Sequence, residues 1–228
     1  MRIILLKQSK IMIITVFDTE TTGFPPRGPL SQENIDKWPY VVQLSWLSYN
    51  VETLKLIEIK DYVIKLKRGI PIPEESSKVH GITKDISIVQ GINIKDALFE
   101  FLECLKNTNV LVAHNIEFDK KMIAAEFYRN GYHNIFKDME YPFMEYCTMK
   151  FGDRITRLTR INPKTNLVYP KFPKLIELYQ HLFKETPENL HNSLVDVMVC
   201  FRCFYYMYFG SDIVTKDESV KRKIYEVC

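Results

Sequence analysis

The chain of 228 residues has no apolar run near the roughly 18 to 20 residues that a membrane helix needs. Residues 1–6 are too short an apolar stretch for a secretory signal, and Lys7 and Lys10 interrupt it before Ile11. A membrane partner is therefore not expected. Five cysteines is an odd number, which argues against a disulfide framework and for free thiols in a reducing, intracellular, cytoplasmic setting. Cys200 and Cys203 form a lone C-x-x-C with no second pair and no His-x-x-His companion. That excludes an ordinary zinc site and leaves two small hydrophobes one turn apart on a helix. Bulk charge is also lacking: 31 basic against 28 acidic residues give +3, too little to imply a polyanionic partner without local clustering. Repeats and low-complexity segments are absent.

What is present is an ordinary globular composition, 46% hydrophobic and 26% charged, in a chain long enough for one large domain with a full core. Its organising stretch is residues 11–24. Six of the seven residues from 11 to 17 are apolar, several β-branched, which predicts a strand buried on both faces. That strand delivers Asp18 and Glu20, whose i, i+2 spacing puts both side chains on one face. Adjacent carboxylates repel unless a cation lies between them, and oxygen ligands suit the hard ions Mg²⁺ and Mn²⁺. A strand that merely ends in a polar turn is the plainer alternative. The Thr21-Thr22-Gly23 turn follows, with Phe24 after it.

In chain order, residues 1–10 form an N-terminal extension. Residues 24–39 hold four prolines and form a loop with at most one short helix near 31–37. Residues 40–49 and 54–66 read as two further strands in an antiparallel meander. Residues 74–79 make a helical turn closed by Gly81, another turn begins at Thr83 or Asp85, and Asn93 caps a helix over 94–106. Residues 109–113 are a buried strand followed by a helix over 116–130, a unit that implies parallel pairing with the first strand. Residues 143–148 are a weaker strand. Residues 152–174 form a basic insertion: six Lys or Arg, Arg154, Arg157, Arg160 and Lys164 among them, against the single acid Asp153. Three prolines keep that insertion from being one helix. Helices are expected over 174–183 and 190–209, and residues 211–228 read as a charged tail, a frayed helix at most. The domain is thus placed at residues 11–210.

Two more acids arrive. Asp119 sits in the first turn of the helix after the 109–113 strand, at the sheet end where α/β sites collect; its plainer reading is a complement to the helix dipole. Asp196 stands in the apolar stretch 194–199, where a carboxylate is costly unless paired or metal-bound. His191 precedes it, before the helix or in its first turn.

The segments Phe17-Asp-Thr-Glu-Thr-Thr-Gly23, His114-Asn-x-x-Phe-Asp119 and His191-x-x-x-x-Asp196 resemble the three motifs of the DEDDh 3′→5′ exonucleases. This is the ribonuclease H-like group that includes the proofreading epsilon subunit of bacterial DNA polymerase III. Val79-His-Gly-Ile-Thr83 and Lys174-Leu-x-Glu-Leu-Tyr179 are similar too. The resemblance spans residues 13 to 209. The related branch with Tyr four residues before the last Asp would need it at 192, where this chain has Asn192.

The resemblance implies a ribonuclease H-like three-layer α/β fold, with a mixed sheet of about five strands and helices on both faces. It also implies phosphodiester hydrolysis with two Mg²⁺ or Mn²⁺ ions, giving nucleoside 5′-monophosphates. Asp18, Glu20 and Asp196 would hold one ion, Asp18 would bridge to the second, and Asp119 would support it. His191 would be the general base. Thr21 and Thr22 would meet the terminal nucleotide, with His114 and Asn115 nearby and Phe24 and Phe118 against bases. For Phe118 a core role is the alternative, and His80 is read as satisfying a backbone carbonyl rather than facing phosphate. Arg154, Arg157, Arg160 and Lys164 would track phosphates, unless they are only a solvated face.

The expected partner is DNA, single-stranded or frayed at its 3′ end, in proofreading or repair. RNA is the main rival, and an idle nucleic-acid-binding module attached to a polymerase is a rival of another class. Proofreading would need a separate DNA polymerase, since no such domain lies in the chain. Richness in Ile, Lys, Asn, Phe and Tyr suits an AT-rich genome, a viral one included, which would put the protein in a host cytoplasm.

Overall fold

The computed structural model describes residues 12–131, 136 and 143–227; the expected extension over 1–10 lies outside them. The first strand, β1 (Ile13–Thr21), is mostly buried, with Ile13, Asp18 and Glu20 half-buried. A short 3₁₀ turn at Ile35–Lys37 precedes β2 (Val41–Asn50) and β3 (Lys55–Val63). Next come α1 (Glu74–His80), α2 (Lys84–Gln90) and α3 (Ile94–Lys106), then β4 (Val110–Ala113) and α4 (Ile116–Arg129). The second half holds β5 (Met144–Cys147), α5 (Thr148–Thr156), β6 (Thr159–Ile161), β7 (Val168–Pro170), α6 (Leu175–Phe183), α7 (Ser193–Phe209) and α8 (Glu218–Val227). The helix starts follow local chemistry: Thr83, Asn93 and Asn192 each accept a backbone N–H through the side chain at the head of α2, α3 and α7.

The main sheet has the order β3-β2-β1-β4-β5. β1–β2 and β2–β3 are antiparallel, β1–β4 and β4–β5 parallel, so the sheet is mixed and five-stranded as expected. β1 lies at its centre, and its two faces divide the core. Phe17 packs with Trp46, Phe101 and Met122 under α3 and α4. Ile14 and Val16 pack with Val197, Phe201 and Phe204 of α7 on the opposite face. The alternation of β1 side chains therefore sets which helix layer each polar residue at its end will meet.

Three sequence expectations are corrected. The basic stretch 152–174 is not one insertion: its first residues complete α5, and the rest contains the antiparallel hairpin β6–β7. α7 begins at Ser193 rather than 190, because Asn192 caps it. Residues 211–227 are not a loose tail. Ile213, Val220 and Ile224 are fully buried in the α7 core, and the Asp217 carboxylate accepts from the backbone N–H groups of Ser219 (2.8 Å) and Val220 (3.2 Å) at the head of α8. Arg202, a cation on the otherwise apolar α7, is buried but paired with Asp212 (2.8 Å) and Glu185 (2.6 Å). Cys200 and Cys203 are buried on the same helix, as small core residues.

Candidate metal centre

β1 ends in the order Asp18, Thr19, Glu20, Thr21, and the strand splits them between layers. Asp18 and Glu20 face α7, where Asp196 stands in the first turn. One carboxylate oxygen from each of these three lies within 4.8 Å of the others. The head of α7 is fixed to the strand itself: the Ser193 hydroxyl donates to the Asp18 carbonyl (2.8 Å), and the Ser193 N–H donates to the Gln43 side chain (3.3 Å). Gln43 is held in turn by Asp61 on β3 (2.7 Å).

Asp119 comes from the other layer. It is buried in α4, and its carboxylate accepts from both the backbone N–H (3.1 Å) and the hydroxyl (2.8 Å) of Thr19. The residue between the two strand acids thus anchors the fourth acid, which approaches the same strand end from the α4 side.

The electrostatics follow from that crowding. Burial pushes the Asp18 carboxyl up to about 7, opposed by the Ser193 hydroxyl. Burial and then the charges of Asp18, Asp196 and Asp119 raise Glu20 to about 9. Asp196 rises to about 8, by burial and Asp18, with the His191 backbone opposing. Asp119 is raised by burial and Asp18 and held back by Thr19. No cation is among the neighbours that shift these four groups. A cluster of carboxylate oxygens that no Lys or Arg among the described residues neutralises fits a hard divalent ion, which would supply the missing charge. Asp18, Glu20 and Asp196 could hold it.

His191 is exposed, lies two residues before the first residue of α7, and has the left-handed φ of +70°. Its backbone hydrogen-bonds Asp196. The Thr21–Phe24 turn is tied on its far side to β2. Thr22 N–H donates to the Tyr40 carbonyl (2.9 Å), and the Thr22 hydroxyl accepts from Tyr40 N–H (2.9 Å). The Thr21 hydroxyl donates to the Gly23 carbonyl (2.7 Å), and Gly23 has φ of +155°, which residues with side chains rarely adopt. Phe24 is 88% exposed, its ring edge-on to the half-buried Phe118 at 6.1 Å.

His114 is not free for substrate. Its Nε2–H donates to the Pro173 carbonyl (3.1 Å), so Nδ1 accepts from the Thr148 hydroxyl (2.9 Å). Burial depresses it to about 4, which keeps it neutral. It joins β4 to the loop before α6, while Asn115 (φ +73°) turns the chain into α4. His80 is buried, and its Nδ1 accepts from the Ile82 N–H (3.1 Å). Arg154 lies on α5 over the Phe151 ring (5.9 Å), Arg157 caps α5, Arg160 stacks on Tyr169 of β7 (4.6 Å), and Lys164 is exposed at the hairpin loop. Sequence reasoning missed Thr19 and Ser193. For Thr19 the signal was the strand alternation itself, since the residue between two acids must face the other layer.

Comparison with known proteins agrees with this geometry. The model of the exonuclease family RNase_T matches residues 15–204. Escherichia coli Exonuclease I in complex with a dT13 oligonucleotide is similar in structure, with TM-score 0.63 at 17% identity over 86% of this chain and 41% of that one. A moderately thermophilic Exonuclease I from Methylocaldum szegediense gives 0.64 at 16% identity over 90% and 42%. A zinc-bound form of the E. coli Exonuclease I–single-stranded DNA complex gives 0.63 at 17% over 87% and 41%. The chain thus spans about two fifths of the length of these proteins. A comparison with curated proteins returns no match. The motifs, the mixed sheet and the match over residues 15–204 place the chain in the RNase_T exonuclease family, DEDD-type nucleases of the ribonuclease H-like superfamily.

Proposed function

We propose that the protein is a metal-dependent 3′→5′ exonuclease that trims DNA ends and releases nucleoside 5′-monophosphates. The observation that carries this reading is the trio Asp18, Glu20 and Asp196, with oxygens within 4.8 Å of one another and no balancing cation among the described residues. Divalent ions held there, two Mg²⁺ or Mn²⁺, would lower the pKa of the attacking water and offset charge on the attacking and leaving oxygens. Asp18, Glu20 and Asp196 would hold the first ion, and Asp18 and Asp119 would support the second. Thr19 keeps the Asp119 carboxylate fixed at the strand end. His191 takes the proton from the attacking water, a task that suits an imidazole near neutral pH.

The Thr21–Phe24 turn seats the 3′-terminal nucleotide, and Phe24 offers an exposed aromatic face to its base, backed by Phe118. Asn115, at the head of α4, is offered to the same nucleotide. Arg154, Arg157, Arg160 and Lys164 hold the preceding phosphates along α5 and the β6–β7 hairpin. Single-stranded DNA is the favoured substrate, supported by the oligonucleotides bound to the Exonuclease I structures. Proofreading or repair with a separate DNA polymerase is the role this activity would serve, in the cytoplasm. No helix among the described residues is long and apolar enough to cross a membrane.

The test is degradation of single-stranded DNA, duplex DNA and RNA side by side with Mg²⁺, Mn²⁺ or EDTA. The proposal expects metal-dependent loss of single-stranded DNA and none in EDTA. Activity confined to RNA would transfer the assignment to RNA trimming. Tight strand binding without any monophosphate would favour a binding module.

A further inference from the structure

The molecule has a further concavity, with apolar walls and a basic rim, that the carboxylate centre does not use. It measures about 360 Å³, within the usual range of ligand pockets, and lies between the start of β2, the end of β3 and the C-terminal turn of α4. Its rim carries Lys65, Lys67 and Arg68, all exposed, and none pairs with a carboxylate among the described residues. The rim is also held in place. The Lys84 ammonium donates to the carbonyls of Leu66 (3.2 Å), Lys67 (2.9 Å) and Ile70 (2.9 Å), fixing the loop that presents the three cations.

The floor is Arg129. Its Nη1 donates to the Pro39 carbonyl (3.0 Å) and the Glu126 carboxylate (2.7 Å), and its Nη2 to the Ile35 (3.2 Å) and Trp38 (2.5 Å) carbonyls. The guanidinium stacks on the Tyr40 ring at 3.9 Å. Nε alone is buried with no acceptor. Glu126 does not spoil the site for an anion: its carboxylate is spent on Arg129 and on Val41 N–H (3.1 Å). The cavity is therefore net positive, and its floor is preorganised by the guanidinium that ties α4 to the segment before β2. Tyr40, which lines it, also makes both hydrogen bonds to Thr22, so the cavity shares a wall with the turn that follows the acids.

We propose that this cavity is a second, metal-independent phosphate site, taking the phosphate of a nucleic-acid backbone or of a free nucleotide. Three exposed cations on a fixed loop, Lys65, Lys67 and Arg68, are the donor set that phosphate oxygens select. Because Tyr40 lines the cavity and is hydrogen-bonded to Thr22, occupancy there would bear on how the turn holds a strand.

The test is calorimetric titration of the full chain in EDTA at low salt with inorganic phosphate, a deoxynucleoside monophosphate, and a single-stranded oligodeoxynucleotide. The variant is K65E/K67E/R68E, whose changes lie on the exposed rim. Where that variant fails to fold by circular dichroism, the paired K67Q/R68Q substitution replaces it. The expected result is a loss of tenfold or more in affinity for all three ligands, or about threefold to tenfold with the Gln pair. A loss confined to the oligodeoxynucleotide assigns the phosphate to a strand rather than a free nucleotide. No binding of any ligand by the wild type, or binding unchanged in the variants, overturns the proposal. Since EDTA removes metal chemistry, the outcome stands apart from that of the nuclease test.

Discussion

Replacing Asp18 by Asn should stabilise the metal-free protein while destroying its activity. The reason is that burial lifts the Asp18 carboxyl from 3.8 to about 7 and Glu20, through charge repulsion as well, to about 9. A folded-state pKa above the unfolded value means that folding retains a proton the unfolded chain gives up. Stability from that group is complete below about pH 4 and drains away as pH rises through the folded value. For Asp18 the ceiling is about three units at ~1.4 kcal/mol each, or about 4 kcal/mol. Partial solvent access reduces this to about 1–3 kcal/mol in practice. Asn keeps the shape and removes the charge. Urea unfolding in EDTA should then show Asp18→Asn matching the wild type near pH 4 and exceeding it by about 1–3 kcal/mol at pH 8. Adding Mg²⁺ or Mn²⁺ should reverse the order, since only the wild-type cluster gains from the ion. A variant no more stable than wild type at pH 8 in EDTA, or one stabilised equally by metal, would refute the reasoning.

Three other outcomes follow from the site. His191→Asn should lower kcat by about 10²–10⁴-fold, with metal-induced stabilisation retained, as read by steady-state kinetics and thermal melts. Thr19→Val removes the hydroxyl that holds Asp119 while keeping the strand. It should cut turnover about tenfold or more, and the wild-type rate should be approached only at higher Mn²⁺, a shift visible in metal titrations. Phe24→Ala should raise KM by about 5- to 100-fold through lost stacking of about 1–3 kcal/mol, with kcat and urea midpoint little changed because the ring is exposed.

The parts of the molecule legible in the sequence are those governed by local rules. Alternation placed Asp18 and Glu20 on one face, the apolar run put β1 at the sheet centre, and Asn93 marked the start of α3. What stayed hidden depends on the third dimension. Asp119 reaches the strand end from the layer opposite Asp196, and only the fold shows that Thr19 carries it. Prolines 163, 170 and 173 made the basic stretch look irregular, yet two strands of three residues pair within it. Residues 211–227 read as charged because their moderate apolar content is spaced along one helical face, and Val220 and Ile224 bury only once α7 is there to receive them. His114 stood in a motif and so suggested a ligand contact, whereas Thr148 and the Pro173 carbonyl, both far along the chain, take its two nitrogens.

The central claim is that the four carboxylates run phosphodiester hydrolysis from a 3′ end. A 5′-labelled single-stranded DNA, followed in time on a sequencing gel with Mg²⁺ and alongside thin-layer separation of the products, tests it most directly. The account predicts a ladder that shortens one nucleotide at a time from the 3′ side, nucleoside 5′-monophosphates as products, and neither with Asp18→Asn. Immediate release of the 5′ label, or an unchanged ladder from Asp18→Asn, would contradict it.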